Sequence, residues 1–205
     1  DATVTNVEVR DYLKQNAFME DLSYGEFWKL TDMVNKFVAE CQTVGYKNII
    51  EKLFNQKMLL APGKQAPLFK YKDINGKEYA LEELKGKLVY IDFWATWCGP
   101  CRHELPFLEK VEKDYHGKNI TFISMSVDDD MVAWDKMVKE KKMSGLQLHA
   151  DGAWNSTVVK DYQIKGIPTF VLIDENGLIL SPAAPRPSSG ADLVNILDEN
   201  LAKIK

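Results

Sequence analysis

Apolar and polar positions change period partway along this chain. Phe27, Leu30, Val34, Phe37, Val38 and Cys41 recur at helical spacing on one face, and Ser23 followed by Glu26 has the form of a capping box ahead of them. Gly45 is expected to close that helix. Ile49, Ile50, Leu53, Phe54 and Met58 predict a second one that ends before Pro62-Gly63, and a weaker pattern predicts a helix over Val7 to Phe18. After "APGKQAP" the texture becomes that of strands. Two short β-prone runs flank Asn75-Gly76, a dipeptide favoured where both turn residues need positive φ, which predicts a hairpin. Leu88 to Trp94, "LVYIDFW", is a nearly continuous apolar run of strand length, as expected of a central strand covered on both faces.

Beyond it the pattern predicts a helix through Tyr115, a strand at Ile120 to Val127, a helix from Asp130 to Lys142 and a short strand near Leu146 to His149. That is β-α-β-α order. A helix over Asn155 to Tyr162, a hairpin at Asn176-Gly177, and a last helix carrying Leu193, Leu197 and Leu201 complete the chain; Ser189 with Asp192 is the expected cap of the last. The chain therefore divides into a helical extension over 1–60 and an α/β domain over 61–205. It has no internal repeat, and its one biased stretch is the Pro-rich loop "SPAAPRPSSG".

Composition narrows the function. With 205 residues, 45% of them hydrophobic, there is ample material for one core plus an extension. A formal net charge of −4 and the lack of any dense Lys/Arg block argue against nucleic-acid partners. The basic stretch Lys139 to Lys142 reads as a solvated helix face. No apolar run approaches the roughly 20 residues of a membrane helix. The sequence opens at Asp1 with neither an initiator Met nor a leader, as expected of a processed or trimmed chain.

Three cysteines are too few for a disulfide-dense scaffold. Two of them, Cys98 and Cys101, stand in "DFWATWCGPCRHE" where the apolar strand ends and a helix should begin. A Cys-x-x-Cys at such a junction puts the first thiol at a helix N-terminus, where free N–H groups and the dipole favour thiolate. Pro100 suits the first turn, because its missing N–H has no intrahelical partner to lose. Cys98 is then the expected nucleophile and Cys101 the resolving thiol. A zinc site needs two further ligands, and neither a second Cys-x-x-Cys nor a His pair supplies them. A purely structural disulfide across two intervening residues would gain little from chain entropy.

"DFWATWCGPC" and "YQIKGIPTFVLID" resemble thioredoxin, and Pro106 matches that family's kinked active-site helix; the resemblance covers roughly Ala61 to Lys205. The extra hairpin, the "DGAWNSTVVKDY" segment and Glu104 three residues after Cys101 are closer to the TlpA/ResA-like branch, thiol-disulfide oxidoreductases of the bacterial cell envelope. The resemblance implies a thioredoxin-like α/β fold, a central mixed sheet with flanking helices. It implies catalysis by Cys98 and Cys101 with no cofactor beyond their disulfide. It implies that Ile167-Pro168 is cis and packs against the pair, leaving the backbone of Ile167 free to meet an extended substrate. Asp92 matches the thioredoxin family's buried acid, which exchanges a proton with the resolving cysteine, and burial should raise its pKa. Glu104 matches the acid of the envelope branch. Trp97 matches the exposed indole beside the nucleophile, while Trp94 reads as core.

The implied partners are disulfide-bearing proteins, cytochrome apoproteins among them, and an upstream dithiol electron donor. The implied location is the bacterial envelope or periplasm, with any signal or anchor outside this sequence. Two alternatives share the fold. A peroxiredoxin-like peroxidase needs Thr-x-x-Cys, and Thr96 is misplaced for Cys98; a copper-carrying module needs Cys-x-x-x-Cys and a distal His, and this spacer is shorter. Cys41 reads as an inert core thiol. "DDD" at Asp128 to Asp130 lacks the spacing of a calcium loop and reads as a helix cap. His103 lies near the cysteine pair but is expected to point elsewhere on its helix, and His116 and His149 are isolated in the sequence, each read as a solvated or hydrogen-bonded histidine.

Overall fold

The computed structural model describes residues 6–24 and 26–204, with backbone only at Ser23 and Tyr24. They fall into two compact units, one up to Ala61 and one from Pro62.

The first unit contains α1 (Val7–Tyr24), a 3-10 turn (Phe27–Leu30), α2 (Thr31–Glu40) and α3 (Val44–Met58). Leu22, Phe27, Val34, Phe37, Ile50, Phe54 and Ala61 form its buried centre. The helix expected over Val7 to Phe18 runs six residues further, because Leu22 is drawn into that centre. The backbone is therefore still helical at Ser23, whose capping side chain lies outside the described residues. Gly45 closes nothing; it sits in the first turn of α3.

What ends α2 is Asp11. This acid of α1 is 1% exposed, and its Oδ2 accepts from the backbone N–H groups of Gln42 (2.9 Å) and Thr43 (2.9 Å), the Thr43 hydroxyl (3.0 Å) and the Cys41 thiol (3.5 Å). Cys41 is correspondingly the extended C-cap of α2, half-buried and packed against the apolar centre of the unit. Burial works to raise the Asp11 pKa, but the bonds from Thr43, Gln42 and Cys41 outweigh it and hold the carboxyl at about 2, below its ordinary 3.8. A depressed folded value stabilises above the unfolded pKa and stops doing so as pH falls through the folded one. The helices of this unit are accordingly expected to lose stability between about pH 4 and pH 2. Asp11→Asn should flatten that part of a circular-dichroism melting series against pH.

The second unit is built on a five-stranded sheet in the order β5-β4-β3-β6-β7, plus a separate hairpin of β1 (Lys70–Lys72) and β2 (Glu78–Ala80). β3 (Leu88–Trp94) is central and buried at every position, as its unbroken apolar run requires. It runs parallel to β4 (Ile120–Ser126), which runs parallel to β5 (Leu146–His149). β6 (Thr169–Ile173) pairs antiparallel with β3, and β7 (Ile179–Ser181) antiparallel with β6. The sheet is thus mixed.

Helices α4 (Gly99–Asp114) and α5 (Met131–Lys141) make the two parallel crossovers, and α6 (Thr157–Asp161) and α7 (Ala191–Leu201) follow. Tyr90, Phe122, Phe170 and Leu172 of the sheet pack with Leu108 and Val111 of α4 and with Leu193 and Leu197 of α7.

Both hairpin turns rest on the same chemistry. Asp73 Oδ1 accepts from Asn75 and Lys77 N–H, and Asp174 Oδ1 accepts from Asn176 and Leu178 N–H. Asp130 caps α5 as expected, accepting from Val132 and Ala133 N–H. Two expectations fail. The helix over Asn155 to Tyr162 is split into a 3-10 turn (Ala153–Asn155) and the five-residue α6, because Ser156 between them has a non-helical ψ of 155°. Ser189 does not cap α7: its hydroxyl donates to the Arg186 carbonyl at 2.6 Å, and Gly190 takes the cap position at φ +61°.

Candidate active site

The end of β3 hands over to α4 through Ala95, Thr96 and Trp97. Cys98 is the N-cap of α4, with extended backbone, and its Sγ accepts from the Cys101 N–H at 3.1 Å. The two cysteines are joined as a disulfide with Cα atoms 5.2 Å apart. A sulfur at this position meets the unpaired N–H groups and the positive end of a 16-residue helix, so negative charge released onto Cys98 by reduction is stabilised there. Cys101 is one turn further in and 1% exposed, against 5% for Cys98. Trp97, immediately before Cys98, is 58% exposed.

Across the site, Ile167-Pro168 is the cis peptide bond, and the Ile167 carbonyl oxygen lies 3.8 Å from Cys98 Sγ. The residues expected to form the substrate edge are therefore together with the pair. Trp94 is fully buried core.

Both acids are buried. Asp92 is 2% exposed on β3, between Ser124 of β4 and Phe170 of β6, and its Oδ1 has no hydrogen-bond partner among the described residues. Loss of water pushes its pKa well above the usual carboxylate range, and the charges of Glu104 and Glu112 add to this. Glu104 is also 2% exposed and is no surface carboxylate. It accepts from the Ser188 N–H (2.9 Å) and hydroxyl (2.8 Å), and Arg186 Nη1 is 3.8 Å away. The Pro-rich loop is thereby tied to the active-site helix, and the Tyr90 hydroxyl, donating to the Pro185 carbonyl at 2.8 Å, ties it to β3.

The sequence reading missed one clamp altogether. Asp128 is buried, and its carboxylate accepts from Thr96 N–H (3.0 and 3.1 Å), the Thr96 hydroxyl (2.6 Å) and the Ser126 hydroxyl (2.7 Å). It pins the loop that delivers Trp97 and Cys98. His149 Nε2 lies 2.9 Å from the Asp128 carbonyl oxygen, which can only accept, so Nε2 carries the proton. The signal was available in the strand order: with Trp94 opposite Ser126 in parallel register, the loops after both strands emerge side by side. Nothing local marks Ser188 or Arg186 as partners of Glu104. Among the described residues, no group of three or more His, Cys, Asp or Glu side chains is placed to hold a metal ion, and no helix is long and apolar enough to cross a membrane.

Comparison with known proteins agrees with this geometry. The Redoxin family model matches residues 61–193. The chain is 31% identical to the thiol-disulfide oxidoreductase ResA of Bacillus cereus over 140 residues, covering 68% of this chain and 79% of that protein. It is 32% identical to the thioredoxin-like protein YneN of Bacillus subtilis, covering 66% and 80% respectively. Among solved structures, the thioredoxin domain of a thiol-disulfide oxidoreductase from Bacteroides vulgatus superposes with a TM-score of 0.62 at 31% identity, covering 71% of this chain and 99% of that one.

Proposed function

The chain belongs to the redoxin family, and from that premise we propose that it works as a reductase of protein disulfides in the bacterial cell envelope. It is a thiol-disulfide oxidoreductase that acts by dithiol-disulfide exchange. The observation that carries the reading is the Cys98–Cys101 disulfide set on the N-terminus of α4, beside the exposed Trp97 and the Ile167 carbonyl.

In this reading residues 61–205 form the thioredoxin-like catalytic domain and 1–60 a helical extension. Cys98 in its thiolate form attacks a substrate disulfide and displaces one sulfur. Cys101 then attacks Cys98, closing the internal disulfide and releasing the second substrate sulfur. Asp92 takes the proton that Cys101 gives up; its raised affinity for a proton supports this role. Glu104 positions the Pro-rich loop and adds negative charge near Asp92. Trp97 offers apolar area, and the Ile167 backbone, held next to Pro168, pairs with an extended substrate. An upstream dithiol donor returns the pair to the reduced state, so the cycle uses no cofactor other than the disulfide itself.

The reductive direction rests on the Gly-Pro spacer shared with thioredoxin, whose potential is about −270 mV. Equilibration of the full chain with graded dithiothreitol, read by thiol alkylation, should place the midpoint near that value. A midpoint near DsbA, at about −120 mV, would make the protein an oxidant and overturn the reading.

A further inference from the structure

The turn that carries Cys98 is aimed from outside its own strand and helix. Thr96 donates its N–H and its hydroxyl to the Asp128 carboxylate, and two residues on the Cys98 N–H donates to the Ala95 carbonyl at 3.1 Å. The Cys98 Sγ then receives the Cys101 N–H and lies 3.8 Å from the Ile167 carbonyl oxygen. The direction in which Asp128 points therefore sets where the turn and its sulfur sit. Asp128 itself lies between β4 and α5, outside both elements that flank the cysteines, and is 1% exposed.

A side chain's direction is fixed once the peptide planes on both sides of its Cα are fixed, because those planes are rigid and only φ and ψ turn between them. The plane before Asp128 is held twice. Its Val127 neighbour donates an N–H to the Trp94 carbonyl at 2.9 Å, and the Asp128 N–H donates to the Ser126 hydroxyl at 3.0 Å, which in turn donates to Asp128 Oδ2 at 2.7 Å. The plane after Asp128 is held by its carbonyl, which accepts from His149 Nε2 at 2.9 Å. The first restraint is local, whereas the second comes from the end of β5, 21 residues away.

His149 is a well-held donor. It is 7% exposed and stands opposite Ser126 in the parallel register of β4 and β5, where the Ala150 N–H donates to the Ser126 carbonyl at 2.9 Å. Its ring packs against that of Trp134 on α5, with centroids 5.2 Å apart. Asp151 Oδ1 stands 3.4 Å from the other ring nitrogen, Nδ1, and does not compete for the Nε2 proton. Strand register and ring packing thus present the Nε2–H to one acceptor. A buried carbonyl deprived of its donor is costly to leave unpaired, so without His149 the plane after Asp128 would turn toward another partner and carry the carboxylate with it.

We propose that His149 is a positioning residue for the thiol-disulfide exchange: by fixing the Asp128 carbonyl it aims the Asp128 carboxylate at Thr96, and through Thr96 it holds the Cys98 sulfur on the N-terminus of α4. The proposal rests on the reading of Cys98 as the attacking sulfur. It touches neither cysteine nor substrate, so its effect is geometric. A sulfur displaced from the N–H groups at the helix end loses part of what favours its thiolate, and one displaced from the Ile167 edge meets a docked disulfide out of line.

The test compares two amides in the full chain. The nitrogen of Gln reaches about as far from Cα as Nε2 and that of Asn about as far as Nδ1, so His149→Gln keeps a donor for the Asp128 carbonyl and His149→Asn does not. The readouts are iodoacetamide alkylation of Cys98 in the reduced protein against pH, kcat and KM for insulin-disulfide reduction, and thermal melting by circular dichroism. His149→Asn should raise the alkylation midpoint by about half a unit and lower kcat/KM about tenfold, with most of the loss in kcat, whereas His149→Gln should stay within about twofold of the parent. Gln and Asn variants that agree in midpoint and in kcat/KM overturn the proposal. So does an Asn variant that melts lower but keeps the parent's alkylation profile, which is what a purely stabilising role would give. Should His149→Asn not fold, His149→Met takes its place, and a Met variant with the parent's profile overturns the proposal equally. Trapped mixed disulfides found on Cys101 rather than Cys98 overturn the reading of the attacking sulfur, whatever the His149 variants do.

Discussion

Cys98→Ser is expected to abolish insulin-disulfide reduction, lowering the rate by about three orders of magnitude or more, because no other thiol in the catalytic unit is placed to attack. Cys101 cannot substitute for it: it lies one turn inside α4 and is 1% exposed. The complementary variant should behave differently. In Cys101→Ser the proposed attacking sulfur keeps its place at the helix N-terminus but the proposed resolving thiol is gone, so mixed disulfides with substrate should accumulate on Cys98 and survive non-reducing electrophoresis. Mass spectrometry of those adducts from the native compartment would identify the substrates. Recovery of stable adducts on Cys101 in the Cys98→Ser protein would reverse the assignment of the two roles.

The second large effect is expected at Asp92. Asp92→Asn removes the group proposed to accept the Cys101 proton and should slow thiol-disulfide exchange near neutral pH by about tenfold or more. It also removes a potential negative charge from beside the pair, so iodoacetamide alkylation of the reduced protein should reach half its maximal rate at lower pH than in the parent.

Stability should move the other way. The folded pKa of Asp92 is raised, so its neutral form contributes fully below the unfolded value near 3.8, and that contribution is lost as pH rises toward and through the folded value. The Asn variant of the oxidised protein is therefore expected to melt progressively higher than the parent as pH increases from about 4. Glu104→Gln should shift the alkylation profile less. It should also cost stability, on the order of 1–3 kcal/mol, because an amide cannot accept from both the Ser188 N–H and hydroxyl as the carboxylate does. If the two acids act on one proton, the double variant will be less than additive in the alkylation profile. Overlaid profiles for all three would make both acids bystanders.

Local chemistry made most of the catalytic unit readable. The alternation from strand to helix at Trp94 to Gly99, the Asn-Gly turns and the Asp130 cap each depend on residues within a few positions, and each is where the sequence places it. The errors have two sources, competition from a near neighbour and partners far along the chain. Ser189 has the right spacing from Asp192 for a cap, yet its hydroxyl is taken by Arg186. Gly45 has the conformational freedom to stop a helix, yet α2 stops earlier because Asp11, some 30 residues away, accepts the backbone N–H groups of Gln42 and Thr43. Glu104 was readable as a candidate from its spacing to Cys101, but its burial depends on Ser188, 84 residues downstream. Asp128 was misjudged as part of a cap because its partner, Thr96, comes from the neighbouring strand end.

The bond between Glu104 and Ser188 also bears on the order in which the site can be made. A chain emerging from its N-terminus presents Cys98 and Cys101 long before Ile167, Pro168 and Ser188. The α4 cap, with the Cys101 N–H on Cys98 Sγ, needs only residues three apart and can form as soon as that segment is free. The Ile167 edge and the loop fastened to Glu104 must wait for contacts 69 and 84 residues long, whose closure is entropically dearer and slower. The capped sulfur is thus the part of the site that local residues can assemble, whereas the edge proposed to meet the substrate is assembled last.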